Sequence, residues 1–411
     1  MIYLHVPFCR SFCTYCDFYS EVACKGRDEA AFARWADGVC EEIEARRQEI
    51  VSTLDLDTLY IGGGTPSVLP LSVLRRILST LAGVPFAPLP PRTGSLKKLP
   101  RTAAPDQPGR PESNETIHRY AEFTIEVNPE DIVERGPEYV RGLLELGVTR
   151  ISMGVQSLDD RILRWMNRRH DSAACRKAFQ LLHGIMQSPA VSIDLITGVP
   201  GMTMEMLEST LEEVIGWRPE HISAYQLSIE DGSALARMIE KGEVAELDEE
   251  ACRAQYDLVC RKLAEAGYHH YEISNWALPG HEAIHNSAYW TRHPYVGLGP
   301  GAHSLVFRAP SGMPVQGAAG SSAAGASAAG GSAAGTSAAN GSAAAGACKE
   351  EGITQRRSWN SQVLSGWTQD GEDLTPEQIH EEEVMLLART DRGPIPEHDW
   401  FIADEIIPDL L

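Results

Sequence analysis

The sequence has little positive charge and no long apolar run. Its 411 residues include 36 Lys or Arg against 57 Asp or Glu, which gives a formal net charge of −21. An acidic surface repels the phosphate backbone of a nucleic acid, so DNA and RNA are not expected as the main partners. No stretch approaches the roughly 18 apolar residues of a membrane-spanning helix, and the opening segment MIYLHVPF lacks the features of a secretory signal. These absences predict a cytoplasmic protein with at most a peripheral membrane contact.

A regular disulfide framework is also missing. The nine cysteines follow no repeating spacing, and a long chain without an export signal keeps its cysteines as thiols or metal ligands. Cys40, Cys175, Cys252 and Cys260 fall inside helical patterns, where we expect them to act as small core residues.

Short β-rich runs alternate with long amphipathic runs through the first 300 residues. The strand candidates are 2–6, 57–62, 122–127, 149–155, 191–196, 221–228 and 269–274. The helical stretches are 28–50, 67–82, 136–146, 157–168, 203–216 and 247–266. Strands that alternate with helices of this length indicate βαβ units and a parallel sheet. Six or seven such units favour an α/β fold that closes as a barrel or a partial barrel.

Two low-complexity segments interrupt this pattern and divide the chain. We expect a barrel domain over 1–308 with a Pro-rich, basic insertion at 85–113, a Gly/Ala/Ser-rich linker over 309–358, and an abbreviated C-terminal domain over 359–411. Neither segment can bury enough apolar surface to offset its ordering entropy, so both are expected to be mobile surface insertions. The alternative is that Lys97 and Lys98 form a basic docking patch in the first insertion.

The C-terminal segment opens with a clear helix start. Thr375 and Gln378 have the spacing of a capping box, and Gly393 with Pro394 predicts a stop after the helix. A second capping box is expected from Ser157 and Asp160, at the start of a helix that ends near Arg168.

Three cysteines in CRSFCTYCDF form the strongest chemical signal. Cys9, Cys13 and Cys16 are separated by three and two residues and could enclose one soft metal centre. A closed zinc site needs a fourth ligand, for which Cys24 and His5 are candidates. A [4Fe–4S] cluster held by three thiolates would instead leave one iron open for chemistry.

This spacing, with Tyr15 directly before the last cysteine, resembles the radical S-adenosylmethionine (SAM) superfamily. YLHVPFC and CDFYS resemble its branch of oxygen-independent coproporphyrinogen III oxidases and related haem chaperones. The resemblance implies a partial (β/α)6-type barrel similar to a TIM barrel, followed by a small, α-rich, winged-helix-like C-terminal domain that is apparently shortened here. It also implies that Cys9, Cys13 and Cys16 hold a [4Fe–4S] cluster whose open iron binds the amino and carboxylate groups of SAM.

Further residues match the SAM site of that branch. YIGGGTP places three glycines after a strand, where a ligand can approach the backbone closely. A Gly-rich turn can also simply close a βα unit, and a lone polar residue at a strand end is usually a cap. The resemblance implies roles in SAM binding for these residues: Tyr3, Tyr15, Gly63, Gly64, Thr65, Glu126, Gln156, Arg168 and Asp194.

The segment HNSAYW at 285–290 contains a candidate ligand for haem iron. An isolated histidine is more often structural than a metal ligand, but His285 lies in a segment that resembles the HNxxYW motif of the haem chaperones. The resemblance makes His285 the candidate axial haem ligand, because imidazole suits haem iron.

The residue at position 18 distinguishes the two activities of the branch, porphyrinogen decarboxylation and haem delivery. Phe18 stands two residues after Cys16, where the oxidase has a fourth cysteine. The expected function is therefore haem binding and delivery to apo-haemoproteins, including respiratory ones at the membrane. The alternative is a porphyrinogen decarboxylase or another radical SAM oxidation. SAM turnover and homodimer formation are left open.

Overall fold

The computed structural model describes residues 1–16, 18–23, 28–84, 118, 120–185, 190–230, 232–309, 313–315, 353–364 and 366–406. Cys24, the basic insertion with Lys97 and Lys98, and residues 316–352 of the expected linker lie outside the described residues.

Fifteen strands are described. They are β1 (Ile2–Val6), β2 (Phe8–Cys9), β3 (Glu21–Val22), β4 (Thr58–Gly63), β5 (Glu122–Val127), β6 (Arg150–Gln156), β7 (Ala190–Thr197), β8 (His221–Gln226), β9 (His269–Glu272), β10 (Asn275–Ala277), β11 (Val296–Leu298), β12 (His303–Arg308), β13 (Pro314–Val315), β14 (Thr354–Asn360) and β15 (Gln369–Asp373).

Twelve α-helices are described with them. They are α1 (Asp28–Ala45), α2 (Arg47–Ser52), α3 (Leu71–Ala82), α4 (Pro129–Glu145), α5 (Asp160–Trp165), α6 (Ser172–Ile185), α7 (Met204–Trp217), α8 (Ala234–Glu240), α9 (Glu249–Glu265), α10 (Ile284–Tyr289), α11 (Pro376–Ala388) and α12 (Ala403–Ile406).

A nine-stranded sheet forms the centre of the molecule, in the order β11-β1-β4-β5-β6-β7-β8-β10-β9. The strands from β11 to β8 pair in parallel, whereas β10 pairs antiparallel with both β8 and β9. This confirms the α/β class and the parallel sheet. Because the parallel strands run in one direction, their carboxyl ends lie along one edge, where α/β proteins place their sites.

The helices cover the sheet through apolar faces. In α1, Phe32, Trp35, Val39 and Ile43 recur at helical spacing and are almost completely buried. Removing such a face from water is what keeps each helix on the sheet, since short helices are marginal alone.

A second sheet of four antiparallel strands follows, in the order β13-β12-β14-β15. The expected α-rich C-terminal part therefore contains a sheet as well as helices. β14 crosses the boundary expected at 358, because it pairs with β12 from position 354 onward. Its buried positions, Gln355, Ser358 and Asn360, are polar, so the strand carries no alternating apolar signal.

The expected start of α11 is confirmed. Thr375 is the N-cap, and the reciprocal hydrogen bonds of a capping box join it to Gln378. Within the described ranges, none of the helices combines the length and the apolar character needed to cross a bilayer.

Candidate functional site

One cavity of about 550 Å³ opens where β4, β5, β6, β7 and β8 end. Eleven of the thirteen predicted site residues line it. They are Cys9, Cys13, Tyr15, Cys16, Gly63, Gly64, Thr65, Glu126, Gln156, Arg168 and Asp194. The parallel sheet thus brings together residues that lie up to 185 positions apart in the sequence.

Three cysteine side chains form one wall of the cavity. Cys9, Cys13 and Cys16 are all partly buried and outside any disulfide. Burial raises the pKa of the Cys9 thiol, while Thr65 Oγ1 donates a hydrogen bond to its sulfur at 3.4 Å. Arg168 Nη1 donates a hydrogen bond to Cys13 Sγ at 3.4 Å. This donor set fits a cluster held by three thiolates.

The cysteine loop is attached to the segment that ends α5. The Thr14 N–H donates to the Met166 carbonyl at 3.1 Å, and Thr14 Oγ1 donates to the Trp165 carbonyl at 2.9 Å. Asn167 Nδ2 donates to the Phe12 carbonyl at 2.7 Å. These bonds fix the backbone between the thiols, so the positions of the thiols depend on α5.

Glycine is required where β4 enters the cavity. Gly63 has φ +106°, and a Cβ there would approach the His5 ring to 2.5 Å. A Cβ on Gly64 would lie 2.7 Å from the Phe8 carbonyl oxygen. The glycine turn therefore lets two backbone segments pass in contact and leaves the wall of the cavity free of side chains.

Two partly buried carboxyl groups form the interior of the cavity. Tyr60 donates to Glu126 Oε1 at 2.7 Å, and the Gly63 N–H donates to Oε2 at 3.1 Å. Burial raises the pKa of Glu126 to about 7 and that of Asp194 to about 6, while Ser152 donates to both oxygens of Asp194. Such groups can accept hydrogen bonds from hydroxyl groups or pair with an ammonium.

Arg168 lies between the carboxyl groups and the thiols. Its Nη2 donates to Asn128 Oδ1 at 2.6 Å and to the Gly154 carbonyl at 3.0 Å. Asn128 Nδ2 in turn donates to Thr65 Oγ1 at 3.3 Å. Sequence reasoning missed Asn128, although EVNPE places it directly after β5, where polar residues indicate a site.

Gln156 stands at a bulge where β6 ends. Its φ is +65°, in the left-handed region that a non-glycine residue rarely adopts. The register of β6 with β7 shifts between Gly154 and Gln156. A bulge of this kind redirects a side chain, and here it puts Gln156 at the cavity.

Tyr3 and His285 do not line the cavity. The Tyr3 hydroxyl is 3.1 Å from His5 Nδ1. His285 is 1% exposed, and its ring nitrogens lie 2.8 Å from Thr58 Oγ1 and 3.0 Å from the Tyr289 hydroxyl. In this conformation neither nitrogen of His285 is free to bind haem iron.

The geometry gives no support to a zinc site that uses His5. The Nε2 atom of His5 is 2.9 Å from the Tyr19 carbonyl, and its Nδ1 contacts Tyr3. In the described part of the chain, no group of three or more His, Cys, Asp or Glu side chains is arranged to hold one metal ion. The cysteines of a [4Fe–4S] cluster do not have to converge on one ion, because each thiolate binds a different iron of the cluster.

Known proteins resemble the chain in sequence and in fold. The sequence model of the radical SAM superfamily matches residues 3–214. The heme chaperone HemW of Mycobacterium tuberculosis is 33% identical over 309 residues, which cover 74% of this chain and 69% of that protein. Heme chaperone HemW of Bacillus subtilis is 31% identical over 310 residues, with 74% and 70% covered. The structure of coproporphyrinogen III oxidase (HemN) from Escherichia coli, a radical SAM enzyme, has a TM-score of 0.63 at 18% identity and covers 95% of this chain and 75% of that one.

Proposed function

The chain belongs to the radical SAM superfamily and, within it, to the HemW family, and we propose that it binds haem and transfers it to apo-haemoproteins. The observation that carries the proposal is the identity above 30% to two proteins named heme chaperone HemW over about 310 residues. Respiratory haemoproteins at the cytoplasmic face of the membrane are the proposed recipients.

The superfamily implies SAM and a [4Fe–4S] cluster. We assign the cluster to Cys9, Cys13 and Cys16, and SAM to the part of the cavity that contains Gly63, Glu126 and Asp194. When bound, the cluster supplies an open iron for SAM and an electron for its cleavage. The chain itself contributes a closely packed glycine turn and two partly buried carboxyl groups that can accept hydrogen bonds from the ligand.

The second candidate function is porphyrinogen decarboxylation, which the fold of HemN keeps open. A likeness at 18% identity shows the fold alone. Phe18 counts against this activity, because the resemblance to the oxidases implies a fourth cysteine at this position.

Anaerobically reconstituted protein should distinguish the two functions. We expect haemin to give a saturable Soret band with one haem per chain. Coproporphyrinogen III supplied with SAM and a reductant should yield neither carbon dioxide nor protoporphyrinogen. Turnover of the porphyrinogen without a saturable haem complex would reverse the assignment, and Cys13→Ala serves as the cluster-free control for turnover.

A further inference from the structure

We propose that haem docks on the rim of the cluster cavity, with Phe12 and Phe18 against its macrocycle and Arg10 and Arg169 on its carboxylates. The term rim denotes these four residues, all of which line the cavity. This inference rests on the proposed function, since it names where that function's cargo binds.

The aromatic half of the rim is unusually exposed. Among the large hydrophobic side chains of the described residues, Phe18 and Phe12 have the largest exposed fractions, 64% and 54%. Both rings line the same cavity, and exposed apolar side chains grouped around a cavity mark a binding surface more often than scattered ones do. The bond from Asn167 to the Phe12 carbonyl also holds this part of the loop in place before any ligand arrives.

The basic half of the rim makes only long contacts with carboxylates. Arg10 Nε is buried and has no hydrogen-bond partner among the described residues, and its nearest carboxylate contact is Asp131 at 4.0 Å. Arg169 Nη1 donates a long hydrogen bond to Glu130 Oε1 at 3.5 Å, and the guanidinium lies 3.7 Å from Glu134 and 4.0 Å from Asp131. These distances exceed the roughly 2.7–2.9 Å of a strong charge-assisted hydrogen bond, so both guanidinium groups can still bind a carboxylate.

The acidic groups near Arg10 and Arg169 do not prevent these arginines from binding a further carboxylate. Glu130 Oε2 is 3.0 Å from His170 Nδ1, and Ser67 donates to Asp131 at 2.6 Å. These carboxylates are therefore engaged within the protein. An incoming carboxylate can compete for the arginines, because a fork of guanidinium donors can bind an acid in bidentate geometry.

Haem has the complementary shape and charge. Its macrocycle is flat and apolar, and its two carboxylates lie on one edge. Two exposed rings and two loosely paired guanidinium groups line one cavity and match that pattern, whereas the polar ribose and amino acid of SAM match the interior at Glu126 and Asp194. The rim also offers a ligand site that does not depend on His285.

Haemin titration of the full chain tests the proposal, with haemin dimethyl ester as the ligand that lacks carboxylate charge. Phe18→Ser should weaken the binding of both ligands about tenfold, because an aromatic contact is lost. Arg169→Gln should weaken haemin about tenfold and leave the ester unchanged. Val363→Ser and Arg141→Gln are matched controls, because both residues are exposed and neither lines the cavity.

The results distinguish the proposed function from the assignment of haem to the rim. Failure of the unmodified chain to bind haemin would overturn the proposed function. Saturable haemin binding that none of the rim variants alters would overturn the rim assignment alone. Unchanged haem affinity with slower delivery to an acceptor would show that the rim contacts a partner protein, and this too would contradict the assignment. Thermal melting of each variant checks that the fold is retained.

Discussion

The imidazole of His285 is hydrogen-bonded at both nitrogens, and its backbone N–H donates to Glu122 Oε1 at 2.8 Å. Burial lowers its pKa well below the ordinary value. The ring is therefore neutral and connects β4 to α10. HNxxYW alone could not reveal this, because a sequence motif does not state what lies around a side chain.

His285→Ala should lower the free energy of unfolding by about 2–4 kcal/mol, since it leaves a cavity and unpaired hydroxyl groups. Haemin affinity should not change. Below about pH 6.5 the unfolded chain protonates this histidine and the folded chain does not, so part of the stability loss toward acid pH should disappear in the variant. Urea unfolding at several pH values and a Soret titration measure both effects.

The exposed His303 gives a control, because His303→Ala removes an imidazole without opening the core. A large loss of haem affinity in His285→Ala with little loss of stability would restore His285 as a haem ligand.

At the scale of elements, the short helix α5 positions the cysteine loop. The expected capping box of Ser157 and Asp160 was wrong. Asp159 is the N-cap instead, and it accepts from the Arg161 and Ile162 N–H groups at 2.8 and 3.4 Å. Asp160 accepts from the Ser172 N–H at 2.8 Å. The helix consequently starts later than expected and ends at Trp165, so Arg168 follows it and can reach the cavity.

Asp159→Ala should cost about 1 kcal/mol of stability, because the helix loses its cap. Since the last turn of α5 holds Thr14, we expect faster amide exchange over 9–16 as well as over 160–166. Hydrogen–deuterium exchange followed by mass spectrometry measures this directly.

Asp248→Ala is the matched control, because Asp248 also caps a helix, α9, by accepting from the Ala251 N–H at 2.8 Å, and α9 is not the helix that holds the cysteine loop. Equal exchange rates over 9–16 in both variants would contradict the role given to α5.

At the scale of the whole molecule, the sequence predicts the strands and helices that carry a local pattern of apolar residues. Apolar runs such as VSIDLI and EFTIEV indicate the buried parallel strands, and strand direction then brings their polar ends together. The second sheet has no such signal, because β14 buries Gln355, Ser358 and Asn360. The left-handed backbone at Gln156 and the contact of Asn128 with Arg168 also depend on tertiary packing, which no local pattern contains.

The two proposals assign a cluster site to the cavity and a haem surface to its rim, and both regions lie at one edge of one sheet. A chaperone has to release its cargo to an acceptor, so an exposed docking surface suits it better than ligation inside the core. The account therefore predicts that delivery occurs by direct contact between the haem-loaded chain and an apo-haemoprotein.

The most direct measurement is the rate of haem transfer from the loaded chain to a purified apo-cytochrome, followed by absorbance as the acceptor concentration is increased. We expect a rate that rises with acceptor concentration above the rate of spontaneous haem loss. A rate that stays equal to spontaneous loss at every acceptor concentration would contradict it.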